Sequence, residues 1–148
     1  MTICRQYKSL PPEAATIRQE VFVEEQGFVV EFDEIDDIAT HIVLFKDETP
    51  VGTCRFYWNK EKASHVLGRV AVRKAFRGQC FGQALLQEAE QQVRALQGQS
   101  LCLAAQVRAK PFYEKQGYLA AGDEFLDECD TFASGKKLAD TQLCCVDN

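Results

Sequence analysis

At 148 residues the chain has the length of one ordinary domain, enough to bury a hydrophobic core. A composition of 46% hydrophobic and 26% charged residues is globular, and the formal net charge of -5 argues against a nucleic-acid partner. No apolar run reaches membrane-spanning length, the first residues lack the apolar core of a signal peptide, and the seven cysteines are irregularly spaced with no C-x-x-C pair. These features predict a cytoplasmic protein with no membrane partner and no metal site.

Residues 2–8 read as a short strand, and Ser9, Pro11 and Pro12 as a helix start with Ser9 near the cap. Ala14, Ile17 and Val21 give that helix one apolar face. From 24 to 39 the periodicity dissolves, and the acidic stretch 31–37 reads as a solvated loop, with attraction of a cationic amine as its functional alternative. The run 41–45 predicts a buried strand, 47–50 a turn, 51–58 the partner strand and 66–72 a further strand. Phe81, Leu85, Ala89, Val93 and Leu96 mark an amphipathic helix that Gly98 ends. A strand over 101–105, a short helix over 109–116 closed by Gly117, and a strand opening at 118–121 follow. One more strand covers 123–134, and residues 135–148 read as an irregular tail. This order predicts one α/β domain over 1–148 with a mixed β-sheet flanked by helices.

The segment with most chemical content runs from Val70 to Leu85. A strand enters a short basic turn containing Gly78 and Gly82, and the turn opens directly into the long helix. The first amides of a helix have no internal acceptors and lie at its positive end, so such a turn can hold a diphosphate where glycine lets the backbone come close. Arg77 adds a charge-assisted donor. The same pattern is also how any α/β unit makes a corner. A P-loop and a dinucleotide fingerprint are excluded, because neither the Lys-Ser/Thr nor the G-x-G-x-x-G spacing is present.

Val70-Ala71-Val72 followed by Arg77-Gly78-Gln79-Cys80-Phe81-Gly82 resembles the coenzyme-A signature of the GNAT superfamily of N-acetyltransferases, R/Q-x-x-G-x-G/A. Gln106-Val107-Arg108-Ala109-Lys110-Pro111-Phe112-Tyr113-Glu114-Lys115-Gln116-Gly117-Tyr118 resembles that family's second signature, N/Q-x-x-A-x-x-F-Y-x-K-x-G-F/Y. The stretch from Arg18 to Gln26 further resembles a bacterial GNAT branch with R-x-x-V-F-V-x-E-Q near its N-terminus. The likeness covers roughly residues 3 to 128, and its motifs are specific for the superfamily but not for a substrate.

The resemblance implies a splayed sheet and direct acetyl transfer from acetyl-CoA to an amine, small-molecule or peptide, without a metal. It implies that backbone groups of Val70, Ala71 and Val72 hold the pantetheine arm and that amides of Arg77, Gly78, Gln79, Cys80, Phe81, Gly82 and Gln83 cradle the diphosphate. Gln106 stands at a pantetheine-contacting position, and Tyr113 where many members place the acid that protonates the leaving thiolate. Arg18, Asp33, Asp36 and His41 are the candidates for the acceptor side, His41 as a base and Arg18 alternatively as a partner of the nearby acids. Two positions depart from the pattern: Cys80 replaces the usual glycine, and residues 129–135 lack the His and Met of the branch's last strand. A non-catalytic acyl-CoA-binding module and an α/β interaction domain without cofactor are the competing readings. The sequence leaves the oligomeric state open, a homodimer included.

Overall fold

The run 41–45 shows no alternation because its strand is covered on both faces. In the computed structural model, which describes residues 1–28, 32–106, 109–120, 125–127 and 130–138, it forms β2 (Thr40–Lys46). Ile42 and Leu44 enter one apolar cluster, while Val43 and Phe45 enter another on the opposite side. The first cluster is closed by α2 (Phe81–Ala95), through Phe81, Leu85, Leu86, Ala89 and Val93. The second is closed by α1 (Pro12–Arg18), through Ala14 and Ile17. Each fully buried Leu, Ile, Val or Phe side chain contributes about 1.5–3 kcal/mol.

The remaining strands are β1 (Thr2–Tyr7), β3 (Thr49–Asn59), β4 (Ser64–Val72), β5 (Ser100–Gln106), β6 (Leu119–Ala120), β7 (Phe125–Asp127) and β8 (Asp130–Leu138). They form one sheet in the order β1-β2-β3-β4-β5-β8-β6, with β7 paired to β8. Among the described residues only β4 and β5 run parallel, as their connection through α2 requires; the other pairs are antiparallel. The sheet is mixed and flanked by helices, as predicted. A last helix, α3 (Lys110–Lys115), lies between β5 and β6.

Three local expectations need correction. The first helix is capped at Pro11, not near Ser9: Pro11 is extended and Pro12 supplies a preset helical φ at the first turn. That helix then widens into a π-helical segment, Gln19–Glu25, which apolar spacing alone did not reveal. The expected strand 123–134 is a hairpin of β7 and β8, and β8 runs on to Leu138, so residues 135–138 are strand and not tail. The rest of the expected tail lies outside the described residues.

Candidate active site

β4 and β5 begin side by side but stay paired only where His65, Val66 and Leu67 face Leu101, Cys102 and Leu103. Beyond Leu67 the two strands continue without pairing, so a gap opens between them in the middle of the sheet. The cause lies in β4. Thr53 pairs with Ala71 and Arg55 with Gly68, so one extra residue stands on β4, and Arg69 there takes a left-handed φ of 53°. Such a bulge bends a strand away from its course.

The bulge also sets which backbone groups face the gap. Arg73 N–H bonds to Val51 C=O at 2.9 Å, and Ala71 is the partner of Thr53. Strand alternation therefore turns the N–H and C=O of Val72 away from β3. The Val72 carbonyl accepts from Arg77 Nε at 2.9 Å on that side. The side chain of Ala71 packs in the core beneath α1.

The turn into α2 is a row of donors. No backbone N–H from Gly78 to Gln83 finds an acceptor among the described residues; the first that does is Ala84, bonding to Cys80 C=O at 3.1 Å. Six successive amides at the positive end of a four-turn helix make an anion cradle. Its curvature depends on left-handed residues at Gly78 (φ 81°) and Cys80 (φ 63°). Cysteine pays strain there that glycine would not, which explains the usual glycine at this position. Cys80 is exposed, and its side chain makes no cap bond. Gln79 Oε1 accepts from Lys46 Nζ at 3.0 Å. Gly82 lies against α3: a Cβ on it would sit 3.2 Å from Phe112 Cζ.

α3 sets Tyr113 beside this region, its ring 5.1 Å from that of Phe112 and 6.0 Å from that of Tyr118. Burial, with Cys54 nearby, holds the Tyr113 phenol far above its ordinary pKa. Cys54 is the β3 residue opposite the bulge. The Tyr113 hydroxyl has no hydrogen-bond partner among the described residues, whereas Tyr118 Oη donates to Glu90 Oε2 at 3.1 Å. Tyr113 is thus a protonated donor with its hydrogen uncommitted. Gln106 ends β5 on the far bank of the gap, with backbone register to Phe132; its side chain is outside the description.

The four acceptor-side candidates come together, with Arg18, Asp33 and Asp36 in a largely buried ion network and His41 bonded beside it. Asp33 caps a 3-10 turn, Glu34–Asp37, that points Asp36 inward. Arg18 donates to both Asp36 oxygens, at 2.7 and 3.1 Å, and Arg55 Nη1 reaches Asp36 and Asp33 at 2.7 and 2.6 Å. Arg69 also approaches Asp33, at 3.3 Å. Arg18, Arg55 and Asp36 are only 1%, 3% and 6% exposed, so the solvated-loop expectation holds for the exposed Phe32, Glu34 and Asp37 but fails for Asp33 and Asp36: three arginines near the sheet demand acids, and these two supply them. Burial alone would raise the Asp36 pKa, but Arg18 and Arg55 outweigh it and hold the carboxyl at about 2. Arg55 and Arg69 likewise overcome burial to keep Asp33 below its ordinary value. His41, buried on β2, donates Nε2–H to the Asp36 carbonyl at 3.0 Å, and burial lowers its pKa, so the ring is neutral.

Sequence reading missed Arg55, Glu20 and Glu25. Arg55 did leave a signal, an arginine in an otherwise apolar strand, which calls for a carboxylate at hand. Arg73 Nε donates to Glu20 at 2.9 Å, and Arg77 makes a two-pronged pair with Glu25 at 2.6 and 2.7 Å. Among the described residues no cluster of three or more His, Cys, Asp or Glu could hold a metal ion, and no helix is long and apolar enough to cross a membrane.

Residues 10–132 match the acetyltransferase (GNAT) domain family. The chain is 35% identical over 118 residues to YjcF, an uncharacterized N-acetyltransferase of Bacillus subtilis strain 168, covering 78% of this chain and 83% of that one. A crystal structure from Lactobacillus plantarum superposes with a TM-score of 0.83 at 28% identity, over 93% of this chain and 98% of the other. An acyl-CoA N-acyltransferase from Pseudomonas aeruginosa shares the fold, with a TM-score of 0.78 at 23% identity and coverage of 93% and 98%. The protein therefore belongs to the GNAT acetyltransferases.

Proposed function

We propose that this acyltransferase moves an acetyl group from acetyl-CoA to a small-molecule or peptide amine by direct transfer, in the cytoplasm and without a metal. The observation that carries the reading is the run of six amides from Gly78 to Gln83 that have no acceptor among the described residues, which suits a diphosphate. Acetyl-CoA supplies a thioester, whose thiol is a good leaving group. Backbone groups of Val70 and Val72 line the gap and polarise the acyl carbonyl, a contribution that grows as charge develops on its oxygen. Gln106 contributes from the opposite bank.

The Tyr113 phenol is protonated at neutral pH, and its hydroxyl, without a hydrogen-bond partner among the described residues, donates a hydrogen bond to the departing sulfur. That free donor favours a catalyst over a binding module. Asp33 and Asp36 are engaged by arginines, and the Nε2 proton of His41 is committed to a carbonyl, so this set holds the Glu34–Asp37 turn against the sheet and the amine enters in its neutral form. The four cysteines among the described residues are free, which fits a reducing compartment. The test is thiol release from acetyl-CoA across a panel of amines, expected to be amine-dependent and chelator-insensitive. Release that never exceeds the rate without protein, for any amine, would overturn the catalytic reading.

A further inference from the structure

Arg77 is expected to meet the diphosphate, yet three of its five N–H donors already have partners. Nε bonds to the Val72 carbonyl at 2.9 Å, while Nη1 and Nη2 hold the two oxygens of Glu25 at 2.6 and 2.7 Å. Glu25 is the last residue of the π-helical segment that follows α1, 52 positions away in sequence, so this pair ties the N-terminal segment to the cradle. A second tie runs beside it, from Glu20 to Arg73, but Arg73 also donates to the Pro50 carbonyl at 3.1 Å and stands before the cradle begins. The Arg77 and Glu25 side chains are 40% and 32% exposed, so the pair is held in water-accessible space where exchange of partners is cheap.

Resting on the acetyl-CoA reading above, we infer that Glu25 is a positioning residue that competes with the diphosphate for Arg77 and so limits cosubstrate affinity. With Glu25 in place, the charge of Arg77 is neutralised before an anion arrives, and the carboxylate opposes a diphosphate in the neighbouring amides. Binding therefore trades one charge-assisted pair for another and gains only the difference. The corollary is faster departure of the spent CoA, a step that limits turnover in many enzymes.

The experiment is calorimetric titration with CoA of the wild type, Glu25→Gln, Arg77→Gln, the double variant and Glu20→Gln. An exposed pair of this kind is worth a factor of about two to five, so Glu25→Gln should tighten the dissociation constant by that factor and steepen its salt dependence. In the Arg77→Gln background the same change should have no effect, and Glu20→Gln should leave affinity as it is. Wild-type binding with Glu25→Gln unchanged or weaker would overturn this inference alone. An absence of CoA binding in the wild type would overturn the acetyl-CoA reading, and this inference with it. Melting of the ligand-free proteins gives a second readout: Glu25→Gln should lose a little stability while its affinity rises, an opposition that a purely structural role would not produce.

Discussion

Tyr113 and Tyr118 stand ring against ring, yet only one of them has something to hold. Tyr118 donates to Glu90 in the core; Tyr113 has no hydrogen-bond partner among the described residues, and burial keeps its phenol protonated. Tyr113→Phe removes that hydrogen and no described bond, so melting temperature and CoA affinity should stay at wild-type values. Turnover of a good amine should fall by roughly 10²–10⁴-fold, the usual contribution of a positioned acid. Steady-state kinetics with a chemistry-limited acceptor decide the matter, and a wild-type rate would make Tyr113 a packing residue. Cys80 is the other informative position. Its φ of 63° costs an L-residue about 1 kcal/mol, and its own amide is part of the partnerless row. Cys80→Gly should raise stability by up to about 1 kcal/mol in urea unfolding and tighten CoA binding. Lower affinity would mean that the side chain contributes to the site.

At the scale of elements, the 3-10 turn after Asp33 closes α1 onto the sheet through the Arg18–Asp36–Arg55 network. Because the folded Asp36 pKa of about 2 lies below the ordinary carboxyl value, its stabilisation is complete above about pH 4 and is lost as pH falls toward 2. The linked loss is ~2–3 kcal/mol. The depressed pKa of His41 acts in the same direction, since protonation on the way down disfavours the fold. Urea midpoints between pH 6 and 2.5 should show this limb, and Asp36→Asn should flatten it while lowering stability by about 3 kcal/mol at neutral pH. The elements of this region also show where sequence stops being informative. α2, β2 and β3 were legible because their apolar spacing reports burial directly, and the turn at Gly78 because glycine and helix start coincide. The pairing of Arg18 with the nearby acids was legible from its place beside them, but that of Arg55, Glu20 and Glu25 was not, since partners 19 to 53 residues apart leave no periodic trace. The π-helical widening was hidden for a related reason: Val21 satisfies either helical period.

For the whole molecule, the two sides of the sheet meet along three parallel residue pairs between β4 and β5, with α2 crossing from one side to the other. A ligand wedged into the gap beyond those pairs binds only the folded form, so CoA at ~100 times its dissociation constant should add about 2.7 kcal/mol. For a chain of this size that is a rise of about 5–11 °C in melting temperature, and an unchanged melt in millimolar CoA would remove the cradle's assigned purpose. The Arg69 bulge puts a limit on how this fold can be improved. Counting along β4, the extra residue changes the parity of the strand: it lets Ala71 pack under α1 while the strand bends from β5. Removing one residue there would give β3 and β4 an unbroken ladder and relieve a left-handed arginine, both gains by any stability criterion. It would also reverse the facing of every residue after it and straighten the strand across the opening. A stabilised, regularised β4 would therefore be a better strand and a closed door, so selection for thermostability and selection for ligand access pull this one residue in opposite directions.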